Sequence, residues 1–169
     1  MAKENSMKRL AALALPLVAL AMISCGTNRA AVAEAALAAE DFSGAMGRNW
    51  TLVEMRTAAR SVTLDRSPFD EVGIGDTFTL RFDIGGIFGT AVVNSFRGPY
   101  VLGAYREITI GDMAVTLAFP LVELDELSEY EFVTHYLPNV FEWAVVGASL
   151  ELRTTSVDGT ETVLVFIEK

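Results

Sequence analysis

From residue 50 onward the chain alternates. Phe78, Leu80 and Phe82 are apolar, while Thr77, Thr79, Arg81 and Asp83 around them are polar. Successive side chains of a strand point to opposite faces, so this spacing predicts an antiparallel strand with one buried and one wet face. Comparable runs at Trp50–Arg56, Ser61–Arg66, Gly89–Phe96, Glu107–Ile110, Val140–Val145 and Ser149–Arg153 predict further strands. Val163–Ile167 is apolar at every position, which predicts a strand covered on both sides. Turn residues separate these runs: Gly73 and Gly75, Gly85-Gly86, Gly98-Pro99, Gly147, and Asp158-Gly159, the last a strong hairpin pair. Many short strands punctuated in this way predict a sandwich or a barrel.

One helix is marked. Ser128 and Glu131 have capping-box spacing, Leu127 and Phe132 that of a hydrophobic staple, and Tyr130, Val133 and Leu137 recur at helical spacing before Pro138. A helix over Glu129–Leu137 is therefore expected ahead of the last three strands. The fold class is mainly β, an antiparallel β domain with one short α-helix.

The first twenty-five residues follow a different pattern. Lys3, Lys8 and Arg9 precede an apolar run from Leu10 to Met22, and Met22-Ile23-Ser24-Cys25 resembles a lipobox. The run is shorter than the roughly 20 apolar residues that span a bilayer and has the flanks of a signal peptide. Residues 1–24 are thus expected to be a lipoprotein signal peptide, with Cys25 diacylated as the first mature residue. Residues 25–47, Ala-rich from Ala30 to Glu40, are expected to be a flexible tether, and 48–169 one folded domain. Acyl chains on Cys25 would hold the protein in the bacterial cell envelope. Gly26 is not the Asp that retains some lipoproteins at the inner membrane, which points to the outer one.

Charge narrows the partners. Lys3, Lys8, Arg9 and Glu4 together carry +2, so loss of residues 1–24 takes the formal charge from −9 to −11, with Lys169 the one remaining lysine. Such a domain repels phosphate backbones, which excludes nucleic acid, and is repelled by anionic lipid surfaces. With Cys25 the sole cysteine, no disulfide is available, and the core alone must hold the fold.

The order of elements, together with certain residues, resembles the META/HslJ family of small bacterial domains often carried on lipoproteins. Asn49-Trp50-Thr51-Leu52 is similar to the family's opening Trp-x-Leu strand, and Phe78–Phe82 to its Phe-rich strand. The segment from Gly89 through Val92-Val93-Asn94 to Phe96-Arg97-Gly98-Pro99-Tyr100 is similar to its Gly-x-x-Gly-Cys-Asn-x-Tyr-x-Gly-x-Tyr. Ile108-Thr109-Ile110 with Thr116, Glu129–Leu137, Leu150-Glu151-Leu152 and Val163–Phe166 follow the rest. Val92-Val93 stand where the family often has Gly-Cys, and Phe119 stands near a second family cysteine, so no redox role carries over. The resemblance implies a compact, partly open β-barrel-like domain without known catalytic residues, linked to envelope stress and secretion.

Candidate chemistry is sparse. His135, the sole histidine, falls on the exposed side of the expected helix, and Lys169 is the last residue, so no nucleophile–base set forms. Asp70, Glu71 and Asp76, and Glu123, Asp125, Glu126 and Glu129, are acidic clusters without calcium-loop spacing and are expected to be solvated. No metal site, cofactor or catalytic residue is read. Asn94, Arg97 and Tyr100, beside Phe96, are the candidate ligand or interaction residues. Either Asn94 satisfies a bend and Tyr100 plugs the barrel with its hydroxyl bonded, or Arg97 and Tyr100 gate a cavity.

Two functions are compatible with this reading. One is a non-enzymatic lipid-anchored protein that contacts another envelope protein in assembly or stress. The other is a binder of a small apolar ligand or acyl chain inside the barrel, among Trp50, Phe78, Phe82, Phe141, Trp143 and Phe166. The address itself is testable. Cys25→Ala is expected to accumulate as an uncleaved precursor that takes up no labelled palmitate, whereas undiminished labelling would refute it.

Overall fold

Trp50–Arg56 (β1) organises the sheet, because both of its edges are paired. The computed structural model describes residues 42–169, so the expected signal peptide, Cys25 and the expected tether as far as residue 41 lie outside the described residues. β1 lies antiparallel to Glu161–Glu168 (β11) along its whole length. Its other edge is shared between Thr79–Asp83 (β3) at Trp50 and Thr51, and Ser61–Thr63 (β2) at Glu54 to Arg56. Strict alternation would place Glu54 on the face of Trp50 and Leu52. A bulge between Leu52 and Glu54 resets the phase, so that Met55 turns inward instead.

The main sheet continues outward on both sides. Next to β3 come Gly86–Thr90 (β4), Ser95–Gly98 (β5) and Ala114–Val115 (β8). Beside β11 come Ser149–Thr155 (β10) and Glu142–Val146 (β9). Tyr100–Leu102 (β6) and Ile108–Ile110 (β7) form a separate two-stranded ribbon. That ribbon bridges toward β9: Ile108 N–H donates to Phe141 O at 3.1 Å and Trp143 N–H to Arg106 O at 3.0 Å. The sheet is not closed, and the domain is an open barrel-like β domain as expected.

Several elements differ from their sequence reading. Gly89–Phe96 is not one strand but the junction of the β4–β5 hairpin, with Ala91 to Asn94 as its turn. Across that turn the sequence does not alternate, since Ala91-Val92-Val93 is a continuous apolar run. Gly98-Pro99 is not a tight turn either. The chain steps there from the main sheet into β6, and Pro99 O accepts from Gly111 N–H at 2.9 Å. A five-residue helix, Ser67–Glu71 (α1) with Pro68 in its first turn, follows β2 where the sequence reading continued the strand to Arg66. Arg66 instead turns inward and donates to Thr77 O at 2.9 Å and Leu52 O at 2.5 Å.

The capping box of the second helix is present, with Ser128 Oγ accepting from Glu131 N–H at 3.1 Å. Only Glu129–Glu131 (α2) is α-helical, however, and Phe132–Tyr136 continues as a π-helix. Thr134 Oγ1 donates to Tyr130 O at 2.7 Å, taking the carbonyl that an α-helix would offer to the Thr134 N–H. Phe132, Val133 and Leu137 face the core, while Tyr130 is exposed.

The folded unit also begins earlier than residue 48. Phe42 and Ala45 are buried, Trp50 Nε1–H donates to Ala45 O at 2.9 Å, and Gly47 N–H donates to Phe82 O at 2.8 Å. Residues 42–47 therefore belong to the domain and not to the tether. Phe42 sits edge-on to Phe82 and Trp143 with ring centroids 5.0 and 4.8 Å apart. Phe78 and Phe96 meet Phe132 in the same manner at 5.3 and 5.9 Å. These rings fill the interior, and edge-to-face pairs add to their burial energy. Phe141, expected among them, is exposed.

Gly89 shows how closely the barrel is filled. It lies in register between Leu80 and Phe96, and a Cβ there would fall 2.1 Å from Thr79 O and 2.4 Å from the Phe96 ring. Gly89→Ala is expected to destabilise the domain by about 2–3 kcal/mol in urea unfolding, in the range typical of overpacked cores.

Candidate functional site

Burial of a carboxylate is costly unless hydrogen bonds replace its water, and Glu129 is buried. It is the first residue of α2, and its side chain reaches across to the β4–β5 turn. Glu129 Oε2 accepts three consecutive backbone N–H groups: Val92 at 2.6 Å, Val93 at 2.7 Å and Asn94 at 3.1 Å. Glu129 Oε1 accepts from Asn94 Nδ2. Successive N–H groups curled in this way form an anion-binding nest, and here the anion is a side chain of the same chain. All these partners are neutral donors, so the bonds are charge-assisted without being an ion pair.

Asn94 extends the network to a third segment. Its Nδ2 also donates to Ala118 O at 2.7 Å. Its Oδ1 accepts from Ala118 N–H at 2.7 Å and from Thr116 Oγ1 at 3.1 Å. The amide thus uses both hydrogens and both lone pairs. Toward Ala118 it acts as a strand neighbour would, binding both backbone groups of one residue. Thr116 Oγ1 in turn accepts from Ser95 N–H at 3.0 Å. The turn is closed by Ala91 N–H to Asn94 O at 2.8 Å and by Phe78 N–H to Ala91 O at 2.6 Å. Phe78 is buried at φ 49, in the left-handed region, and these bonds hold it there.

The segment gripped at Ala118 carries three almost fully exposed apolar side chains. Leu117, Phe119 and Leu121 are 99%, 97% and 95% exposed. Nothing polar interrupts the run Leu117 to Leu121.

The candidate residues Asn94, Arg97 and Tyr100 are not brought together. Asn94 is buried in the node just described. Tyr100 lies at the other end of the β3–β4–β5 unit, where its hydroxyl sits 3.3 Å from Asp83 O and 3.0 Å from Met46 Sδ. Its ring packs edge-on against Phe82 at 5.1 Å, and burial, reinforced by the charge of Asp83, raises its phenol above the usual tyrosine range. Arg97 is exposed on the outer face of β5. Of the two readings open in the sequence, the geometry is that of Asn94 satisfying a bend and Tyr100 plugging the barrel. Arg97 and Tyr100 form no common gate.

Two further readings change. Glu129, grouped with the solvated acids, is the buried one; Glu123, Asp125 and Glu126 are exposed, as are Asp70, Glu71 and Asp76. Among the described residues no group of three His, Cys, Asp or Glu side chains converges on one point. His135 is half-buried rather than exposed, edge-on to Tyr136 at 5.9 Å, with Nε2 unpartnered. The sequence reading missed Glu129 because its partners are backbone amides, which no motif displays. One signal was available: position N1 of a capped helix is where a carboxylate sits most favourably.

Glu129→Ala leaves three backbone N–H groups and the Asn94 amide without their acceptor. At about 1–3 kcal/mol per unsatisfied buried group, partly relieved by water, a loss of roughly 3–5 kcal/mol is expected in denaturant unfolding. Glu129→Gln is expected to recover part of it, since one oxygen still faces the nest while its amide N–H₂ opposes Asn94 Nδ2. Equal stability of wild type and Glu129→Ala would remove the node from its central place.

Residues 41–169 match the META domain. A protein from Burkholderia xenovorans, solved by NMR, superposes with a TM-score of 0.51 at 14% identity, over 74% of this chain and 83% of that one. A crystal structure of a DUF4847 family protein from Bacteroides vulgatus gives 0.49 at 15% identity, over 75% of this chain and 95% of that one. No curated protein matches the chain. The match over 41–169, opening within one residue of the buried Phe42, shows that this protein belongs to the META domain family.

Proposed function

We propose that the protein is a non-enzymatic, lipid-anchored component of the cell envelope that acts by contact with another envelope protein. The observation that carries this reading is the grip of Asn94 on Ala118 between the exposed Leu117 and Phe119. A loop held at both backbone groups of its central residue is ordered before it meets a partner, so association costs less conformational entropy. Three large apolar side chains presented on such a loop are anchors of the kind that fill a partner's pocket. The lipobox-like Met22-Ile23-Ser24-Cys25 supports the membrane address, on which the acyl chains of Cys25 would place the domain at the outer membrane.

The alternative, an apolar ligand held inside the barrel, has less support. Phe42, Trp50, Phe78, Phe82, Phe132, Trp143 and Phe166 are buried against one another and occupy the space such a ligand needs. Lipid insertion of the apolar run is the competing outcome.

A photoreactive side chain placed at Phe119 in cells distinguishes these. A single discrete protein adduct is expected, absent when the same group replaces exposed Val157 and lost when Leu117 and Leu121 are both changed to Asp. Adducts to lipid alone, or equal labelling from position 157, would overturn the contact reading.

A further inference from the structure

The outer face of β3, β4, β5 and β8 is patterned. Arg81, Phe88, Arg97 and Ala114 stand in register across it, one from each strand. The adjacent row, Thr79, Thr90 and Ser95, is all hydroxyl, and Thr116 continues it through its backbone bond to Ser95 O at 3.0 Å. Neighbouring strands lie about 4.8 Å apart, so the backbones at Arg81 and Arg97 stand about 10 Å apart with Phe88 midway.

This face forms the floor of an open groove of about 800 Å³, walled by Asn49 and Lys169 on one side and by Ala114 and Thr116 on the other. A second hollow of about 430 Å³ shares Phe88, Arg97 and Ala114 with it and runs on toward Gly98 and Asp112. Phe88 and Arg97 are thus the ridge between two hollows. That shape suits a chain that crosses the ridge better than a single compact molecule.

Charge distinguishes the groove from the rest of the surface. The protein has 22 acidic residues against 13 basic ones, yet the groove is lined by Arg81, Arg97 and Lys169 with Asp76 as its one acid. Lys169 pairs with Asp76 and Arg81 with Asp83, both exposed pairs of the kind worth little and easily exchanged. Arg97 has no carboxylate partner among the described residues, leaving a planar fork of donors beside a 39% exposed phenyl ring. β4 and β5, which carry Phe88 and Arg97, are paired on both edges, and the sheet's free edge here is the two-residue β8 at the rim, too short to template an incoming peptide strand. Recognition must come from side chains: a flat apolar ring, guanidinium forks on either side, and a row of hydroxyls.

We propose that this face binds an acidic glycan, a chain of sugar rings bearing carboxylate or phosphate groups. Phe88 lies under the C–H face of one ring, Arg97 and Arg81 take the acid groups flanking it, and Thr90 and Ser95 meet sugar hydroxyls. Guanidinium matches either acid bidentately, which sets the ligand's charge and orientation. The envelope address brings such chains within reach, but binding requires only the groove and is independent of the contact made by Leu117–Leu121.

The test uses the full acylated protein in neutral detergent, titrated calorimetrically with an oligogalacturonate, a phosphorylated oligosaccharide of equal length and a neutral malto-oligosaccharide. At least one acidic chain is expected to bind, more weakly as salt rises, while the neutral chain does not. The tighter of the two acidic chains identifies the source as carboxylate- or phosphate-bearing. Arg97→Gln and Phe88→Ala are each expected to weaken binding on the order of tenfold, with thermal melting unchanged because both side chains are exposed. No heat from either acidic chain, equal binding of the neutral chain, or unaltered affinity in both variants would overturn the proposal. Such a failure would leave the photocrosslinking result at Phe119 unaffected.

Discussion

The buried carboxylate of Glu129 is the constraint around which the rest of the domain is arranged. A charge removed from water is tolerated only if enough donors surround it, and here four N–H groups do so, three from one turn of backbone. The consequence is structural coupling. The β4–β5 turn must curl for its amides to converge, α2 must begin at residue 129 for the carboxylate to reach them, and Asn94 must sit between the two. Phe78 is drawn into a left-handed conformation by the same turn, and Phe132, three residues beyond Glu129, packs edge-on against it. A polar network this fully satisfied specifies one arrangement of hairpin, helix and loop, because partial satisfaction would be worse than none.

The interior has no comparable polar demand. Aromatic rings from the N-terminal turn, β1, β3, the π-helix and β9 fill it, so the chemistry that remains available faces outward. Two outer surfaces differ in kind. The segment from Leu117 to Leu121 is apolar and projects from the node through Ala118. The face carrying Arg81, Phe88 and Arg97 is cationic and aromatic on a chain of net negative charge. Both surfaces meet near Thr116, whose hydroxyl belongs to the node and whose residue also walls the groove. An acidic body discourages indiscriminate association with anionic surfaces, which makes a local cluster of guanidinium groups more discriminating.

Much of this was legible in the residues. The strands at Trp50–Arg56 and Ser149–Thr155, the Asp158-Gly159 turn and the Ser128–Glu131 capping box all appear where pattern places them, while the Val163–Ile167 strand is covered on both sides only over Leu164, Val165 and Phe166, with Ile167 exposed. These features depend on neighbours a few residues apart, which is the range over which period two and capping rules operate. Membership of the META family was legible for a related reason, since it rests on the order of such local signatures. The Gly89–Phe96 run failed because the apolar residues Ala91-Val92-Val93 inside it belong to a turn whose amides are held by Glu129, more than 30 residues away. The bulge that turns Met55 inward in β1 was not read from the sequence, because it is set by pairing with β11.

The chain by itself therefore determined the β-rich class, the existence of most strands, the start of the helix and the acidic charge, all being properties of spacing and composition. Tertiary structure alone decided that Glu129 is buried while its acidic neighbours are solvated, that Asn94 serves a loop 24 residues away, and that Arg97 and Tyr100 face different surroundings. It also decided that Phe88 falls between two arginines. Each of these depends on which backbone groups converge across distant segments, and hydrogen bonds to backbone leave no mark on the identity of the residues that donate them.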